Sequence, residues 1–355
     1  MVSETNLSPS DLVMPYFIRE DNDNPNIEMM PGIKRHTETE LMEELESLKD
    51  LGIKAISIFP KVNKKKKSND AKEAFNENNL VCKVLRKITK KFPELIVICD
   101  VALDAYTLNG HDGLTDSTEK IDNDSTIEVL SKMSVNFAEN GCRVVAPSDM
   151  MDGRIRLIRE RLESRKFPDV CILSYSSKFC SNFYSPFRDA LGSKNNLGSS
   201  DKKTYQIDFR NSNEALKESL EDINEGADMV MVKPGLPYID IVARVKQTFG
   251  VPTFAYQVSG EYAMLKGADN NGWLDNDKVV LESLMAFKRA GADGVLTYLA
   301  VEASKLLKYN LLNPLLGFKV MSAILFEALR IVFKGGKYYA RKKKPKDTVS
   351  FEGSF

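Results

Sequence analysis

Histidine is almost missing from this chain, which carries only His36 and His111. Two imidazoles argue against a His-rich metal centre and against a histidine-based triad, so the chemistry has to rest on other side chains. The five cysteines, Cys82, Cys99, Cys142, Cys171 and Cys180, form no CxxC pair. That pattern fits a reducing compartment and argues against a structural zinc site. Net charge is absent as well, since 50 basic side chains balance 50 acidic ones. No overall field draws the chain to nucleic acid or to a membrane surface, and neither is expected as a partner. The first ten residues, MVSETNLSPS, lack the apolar core of a secretory signal. A cytoplasmic protein is expected, or a plastid form read without its transit peptide.

What the chain does contain is a repeat. Apolar, β-branched runs recur at 12–18 (LVMPYFI), 54–60 (KAISIFP), 95–103 (LIVICDVAL), 143–149 (RVVAPSD), 170–178 (VCILSYSSK), 228–234 (DMVMVKP), 253–259 (TFAYQVS) and 294–300 (GVLTYLA). Between them lie segments of helical period at 38–51, 80–91, 125–140, 154–164, 213–225, 239–249 and 278–290. Gly52, Gly141 and Gly291 stand between a helix and the next run, as helix-terminating glycines do. Eight strand-plus-helix units in 355 residues predict an α/β fold, one (β/α)₈ TIM barrel over 1–307 with a short amino-terminal arm. An open doubly wound sheet shares the same local pattern. Residues 308–355 form an extension whose segment 311–333 is apolar. Lys319, Glu327, Arg330, Pro314 and Gly317 argue for an amphipathic or subunit-contact helix there rather than a membrane span. The basic loop at 61–72 reads as a solvated loop, and the long Gly/Ser/Asn segment at 185–206 reads as a lid.

The candidate chemistry centres on EGADMVMVKPGLPYID at 225–240. The apolar run ends in Lys233, and Pro234 stops the strand because it has no N–H to give the ladder. The carboxyl ends of barrel strands are where catalytic groups sit. A lysine walled there by Val and Met loses ammonium hydration, has a depressed pKa and suits imine formation. A lysine snorkelling to water has the same local sequence. The preceding run ends in Lys178, and neighbouring strands lie about 5 Å apart, so two amines can meet and lower each other's pKa. One such lysine suits a class I aldolase using Lys233 alone; a pair suits an enzyme holding two carbonyl substrates. Arg188, Lys194, Lys202 and Lys203 in the lid suit carboxylate binding. Ser259 and Tyr298 close the last two runs with hydroxyls. Asp100, Asp104 and Asp112 follow the third run, and can bind a hard cation, orient a water or cap turns.

The segments DVALDAYTLNGHDG, VAPSDMMDGRI, SYSSKFCSNFYSPFRDA, DKKTYQ, EGADMVMVKPGLPYIDI, AYQVSGEYAM and FKRAGADGVLTY together resemble the δ-aminolevulinate dehydratase (porphobilinogen synthase) family, in order and spacing, from about residue 14 to 307. The resemblance implies a (β/α)₈ barrel that condenses two 5-aminolevulinates to porphobilinogen with loss of two waters. It implies that Lys233 of VMVKP forms a Schiff base with the substrate that becomes the propionate side. Lys178 of the SYxxK motif holds the acetate-side substrate. Arg188 of PFRDA, with Lys202 and Gln206 of DKKTYQ, matches the positions that bind one carboxylate. Ser259 of QVSGEY and Tyr298 of LTY match the pair that grips the other. Ala102, Asp104 and Asp112 stand where the zinc-using branch has cysteines, so the chain resembles the aspartate-type, magnesium-using branch. No zinc is expected, and Asp104 and Asp112 are candidate ligands of a hard cation. Glu218, on an acidic helix that also reads as a plain solvated face, matches the position of an allosteric Mg2+. A homo-octamer is the implied assembly.

Overall fold

The runs are buried on both faces because helices cover the sheet outside and side chains fill it inside. The structure, a computed structural model, describes residues 2–191, 201–312 and 315–334. Its strands are β1 (Leu12–Ile18), β2 (Arg35–His36), β3 (Ala55–Pro60), β4 (Ile96–Val101), β5 (Val144–Pro147), β6 (Cys171–Lys178), β7 (Met229–Lys233), β8 (Thr253–Gln257) and β9 (Gly294–Thr297). The order runs β1-β3-β4-β5-β6-β7-β8-β9, all parallel, and β9 pairs back onto β1 to close the barrel. Each expected run therefore supplies one barrel strand. The two-residue β2 is an addition that no periodicity reveals, and it pairs beside Phe17 and Ile18 at the carboxyl end of β1.

The helices are α1 (Glu38–Leu48), α2 (Leu80–Lys91), α3 (Asn123–Glu139), α4 (Arg154–Ser164), α5 (Ser185–Leu191), α6 (Ser212–Asn224), α7 (Ile239–Phe249), α8 (Ser259–Asn270), α9 (Asn276–Arg289), α10 (Ala300–Leu312) and α11 (Leu315–Phe333). In α2, Val81, Val84, Leu85 and Ile88 form the buried stripe. The Asn79 side chain accepts the Cys82 N–H at the start of α2, and Lys90 and Lys91 sit at its negative end. Helix α1 opens with a reciprocal Thr37–Glu40 capping box. Gly52, Gly141 and Gly291 all take positive φ (80°, 94° and 99°), which lets the chain leave a helix and turn into the next strand.

Two helices correct the sequence-based boundaries. Ser185–Leu191 is the helix α5 rather than the start of an irregular lid, while the remainder of the expected lid, 192–200 with Lys194, lies outside the described residues. Ser259 opens α8 instead of closing β8. The Glu261 carboxylate accepts the Val258 N–H at 2.6 Å and the Leu236 N–H at 2.7 Å, which ends the strand and starts the helix in one step. The chain divides into a compact unit, Met1–Leu307, and a second, Lys308–Phe355. Among the described residues no helix is long and apolar enough to cross a membrane. The basic end at 340–347 lies outside the described residues.

Candidate active site

Register decides whether the two lysines meet. Strands β6 and β7 pair Leu173 with Met229 and Ser174 with Val230, then slip by one residue so that Ser177 faces Val232 and Lys178 faces Lys233. Without that bulge Lys178 would stand opposite Pro234. Because side chains alternate across a strand, the extra residue in β6 also puts both amines on the same side of the sheet. Both are buried, each 5% exposed, at the carboxyl end of the barrel.

Their surroundings differ. The Lys233 ammonium lies among aromatic rings, 4.6 Å from the Tyr256 centroid, 4.9 Å from Phe187, 5.1 Å from Tyr175 and 5.5 Å from Tyr184. Ring faces attract a cation, but they do not replace its hydration. Burial, then the neighbouring Lys178 charge, pushes Lys233 down to about 7 against the opposing pull of Asp100. Lys178 is instead hydrogen-bonded, its Nζ donating to the Ser148 carbonyl and, at 3.3 Å, to Asp112. The Lys202 Nζ reaches the other Asp112 oxygen at 2.9 Å and Asp104 at 3.5 Å. Burial raises the Asp112 pKa, but the Lys178 and Lys202 charges outweigh it and hold the carboxylate down to about 2. For Asp100 burial outweighs the pull of the Lys233 and Lys178 charges and raises it to about 6.

The cavity above the amines is lined by Asp100, Asp104, Asp112, Ser148, Lys178, Tyr184, Phe187, Arg188, Lys202, Gln206 and Lys233. Seven of the expected site residues thus converge: Lys178, Lys233, Arg188, Lys202, Gln206, Asp104 and Asp112. Its free volume is only about 30 Å³, room for little more than a water, so substrate entry requires α5 or the 201–206 segment to shift. The Gln206 Oε1 is buried without a hydrogen-bond partner among the described residues, an acceptor left for a ligand. Ser259 and Tyr298 are buried but outside this lining. The Ser259 Oγ accepts the Phe187 N–H at 3.0 Å, and the Tyr298 hydroxyl bonds Tyr256 at 2.9 Å, so both sit directly behind the aromatic wall. Lys203, grouped with the lid cations by sequence, points to solvent and pairs with Asp201 at 2.9 Å.

The aromatic cage was not foreseen. Tyr175 and Tyr256 come from the strands flanking β7, and the SYSSK and AYQVS runs held a readable signal at the level of Lys233. Phe187 and Tyr184 come from the loop and helix after β6, which no strand pattern announces.

Metal placement is a separate matter. Asp104 and Asp112 face ammonium groups, and among the described residues no three His, Cys, Asp or Glu side chains gather as a metal-ligating group. A divalent cation does not fit there in this arrangement, because its positions on the two carboxylates are taken by Lys178 and Lys202. Glu218, on α6, is half-buried beside Glu221, Asp222 and Asp152, and burial with these like charges raises its pKa to about 7. It lines a separate cavity of about 720 Å³ with Asp152, Glu214 and Gln206. That cavity is larger than the lysine site but contains neither amine. Asp152, Glu214 and Glu218 offer it oxygen donors of the kind a largely hydrated cation takes, and Lys120 and Lys203 line it too.

A parallel (β/α)₈ barrel with a cage-bound lysine of lowered pKa, paired in register with a second lysine, defines an enzyme of carbonyl chemistry through lysine imines. Residues 1–306 match the family model of delta-aminolevulinic acid dehydratase. The chain belongs to that family. It is 51% identical over 309 residues to the delta-aminolevulinic acid dehydratase of Bradyrhizobium diazoefficiens, covering 87% of each chain. The Glycine max chloroplastic enzyme is 46% identical, over 86% of this chain and 74% of that one. The crystal structure of the Toxoplasma gondii ME49 enzyme (porphobilinogen synthase), in complex with the reaction product porphobilinogen, superposes with a TM-score of 0.84 at 46% identity over 86% of each chain.

Proposed function

We infer that the protein condenses two molecules of 5-aminolevulinate to porphobilinogen, releasing two waters, as a lyase of tetrapyrrole (haem) biosynthesis. The observation that carries this reading is the register-paired Lys178 and Lys233 in a cavity that Arg188 of α5 and Lys202 also line. The family match and relatives sharing about half of the sequence support it.

In the mechanism we propose, Lys233 is the nucleophile. Near neutral pH a large fraction of it is free amine, ready to attack the keto carbon of the propionate-side substrate and expel water as the imine forms. The acetate-side substrate is held at Lys178, whose amine Asp112 orients through their hydrogen bond. Arg188, Lys202 and Gln206 grip one substrate carboxylate. To do so Lys202 exchanges Asp112 and Asp104 for the ligand, one charge-assisted pairing for another. Ser259 and Tyr298 serve the second carboxylate, their hydroxyls turning from Phe187 and Tyr256. The wall of Tyr175, Tyr184, Phe187 and Tyr256 keeps water from the imine.

Glu218, with Asp152 and Glu214 beside the same cavity, is the residue proposed to hold an allosteric Mg2+, which would offset carboxylate charge away from the amines and favour the active assembly. The donor set offers no thiolate for zinc. A homo-octamer is the proposed assembly. The proposed location is the cytoplasm, or a plastid, as for the chloroplastic relatives.

The test is incubation with 5-aminolevulinate, reading pyrrole formation with and without Mg2+, followed by borohydride reduction and mapping of the adduct. Substrate fixed on Lys233 is the expected outcome. An adduct only on other lysines, with Lys233→Ala still making pyrrole, overturns the assignment.

A further inference from the structure

The helix α5 carries two groups that face the amines: Phe187, whose ring lies 4.9 Å from the Lys233 Nζ, and Arg188, which lines the cavity. Its described part, Ser185–Leu191, is short, and a short helix takes its place from tertiary contacts. Its amino-terminal half is fixed by α8. The Phe187 N–H donates to the Ser259 Oγ, and a Cβ on Gly260 would lie 2.5 Å from the Phe183 carbonyl oxygen, so the two backbones touch there.

The carboxyl end is held from an unexpected quarter. Arg35, in the two-residue β2, is 5% exposed, and its guanidinium donates to backbone carbonyls. Its Nε donates to the Ala190 carbonyl at 2.6 Å and its Nη2 to the Asp189 carbonyl at 2.7 Å. Its Nη1 donates to the carbonyls of Asn24, at 3.1 Å, and Asn26. Asp189 and Ala190 lie near the end of the described part of α5, so the guanidinium grips the helix backbone directly next to Arg188. The fork of the guanidinium therefore joins two carbonyls of α5 to the loop at 24–26. The strand itself is anchored to the barrel by its pairing with Phe17 and Ile18 of β1 and by Arg19, whose backbone N–H donates to the His36 carbonyl and whose side chain bonds the Arg35 carbonyl at 3.0 Å and Glu40. No lysine offers that planar pair of donors.

We propose that Arg35 is a positioning residue for substrate binding: by clamping the carboxyl end of α5 to β2 it sets Arg188 and Phe187 over the amine pair. The role is distinct from contact with substrate, because Arg35 is outside the cavity lining and spends its donors on backbone. It rests on Arg188 as a carboxylate grip, and the experiment separates the two.

In Arg35→Lys, KM for 5-aminolevulinate rises about tenfold while kcat changes much less, because the imine-forming amine is untouched. Amide hydrogen exchange across Ser185–Leu191 speeds up, while the thermal transition of the whole protein stays close to that of the parent. Added to Arg188→Ala, the substitution raises KM little further, since its effect passes through Arg188. Arg35→Gln, which keeps an NH₂ donor, serves as the second variant if the lysine variant melts early, with the same outcomes read. Unchanged exchange across α5, or a full multiplicative effect on KM in the double variant, overturns the proposal. An unchanged KM in Arg188→Ala alone refutes Arg188 as the grip. The exchange measurement then still decides whether Arg35 orders the helix.

Discussion

Replacing Lys178 by methionine removes a charge from beside Lys233 while keeping a long side chain in its place. Two unit charges at the roughly 5 Å spacing of adjacent strands interact by about 3 kcal/mol at an effective dielectric constant of about 20, equivalent to about two pH units. Asp112 stays in both proteins and cancels from the difference, while relaxation of the site screens the repulsion further, so a rise of about one to two pH units is expected from Lys233's starting value of about 7. Burial, the larger cause, remains, so the amine does not return to an ordinary lysine value. The neutral amine is the nucleophile, so reactivity falls as pH drops below the Lys233 pKa. Imine formation in the parent should therefore be half-maximal near pH 7, and Lys178→Met should need a more alkaline solution. At neutral pH the variant should trap substrate about tenfold more slowly, and at high pH the two should converge. The assay is the initial rate of borohydride-fixed 5-aminolevulinate on Lys233 across a pH series, with the peptide identified by mass. It reads imine formation whether or not turnover survives. A midpoint that stays in place or moves to lower pH refutes the electrostatic coupling of the pair. Porphobilinogen formation should also be lost, and its survival would point to a chemistry run by Lys233 alone.

Lys202→Ala should raise KM roughly 10- to 100-fold with the fold intact, since a charge-assisted bond to a substrate carboxylate contributes about 1.5–3 kcal/mol; steady-state kinetics decide, and an unchanged KM means Lys202 serves only Asp112 and Asp104. Glu218→Ala should lose the response of activity and of assembly size to Mg2+ while Lys233 still traps substrate. An equal response in sizing and activity across a Mg2+ titration returns Glu218 to the solvated face. Chelators selective for zinc should leave activity in place, and tight stoichiometric zinc required for turnover would contradict a loop that offers Ala102 and two carboxylates, Asp104 and Asp112, in place of thiolates.

The barrel was legible in the sequence because strand and helix periods are local properties, and burial on both faces leaves an apolar run that polar loops interrupt. Pro234 told where β7 ends, and the ends of the runs carried the lysines, so the candidate chemistry could be located before any contact was known. Short elements were not legible. Helix α5 has seven residues and β2 has two, too few for a period to show, and both take their conformation from partners distant in the chain.

The chain's own order of residues thus determined the alternation of elements, the strand-end placement of Lys178 and Lys233, the family motifs and the lack of thiolates at the aspartate loop. Tertiary structure alone decided which groups act on each other. A one-residue bulge in β6 turns two strand-end lysines into a facing pair. Rings from positions 175, 184, 187 and 256 assemble around one of them, and Asp112 bridges the other to Lys202 across 90 residues of chain. The pKa of Lys233 depends on burial and on charges within a few ångströms. Those are properties of distance in space, which a linear order of residues does not encode until the barrel closes.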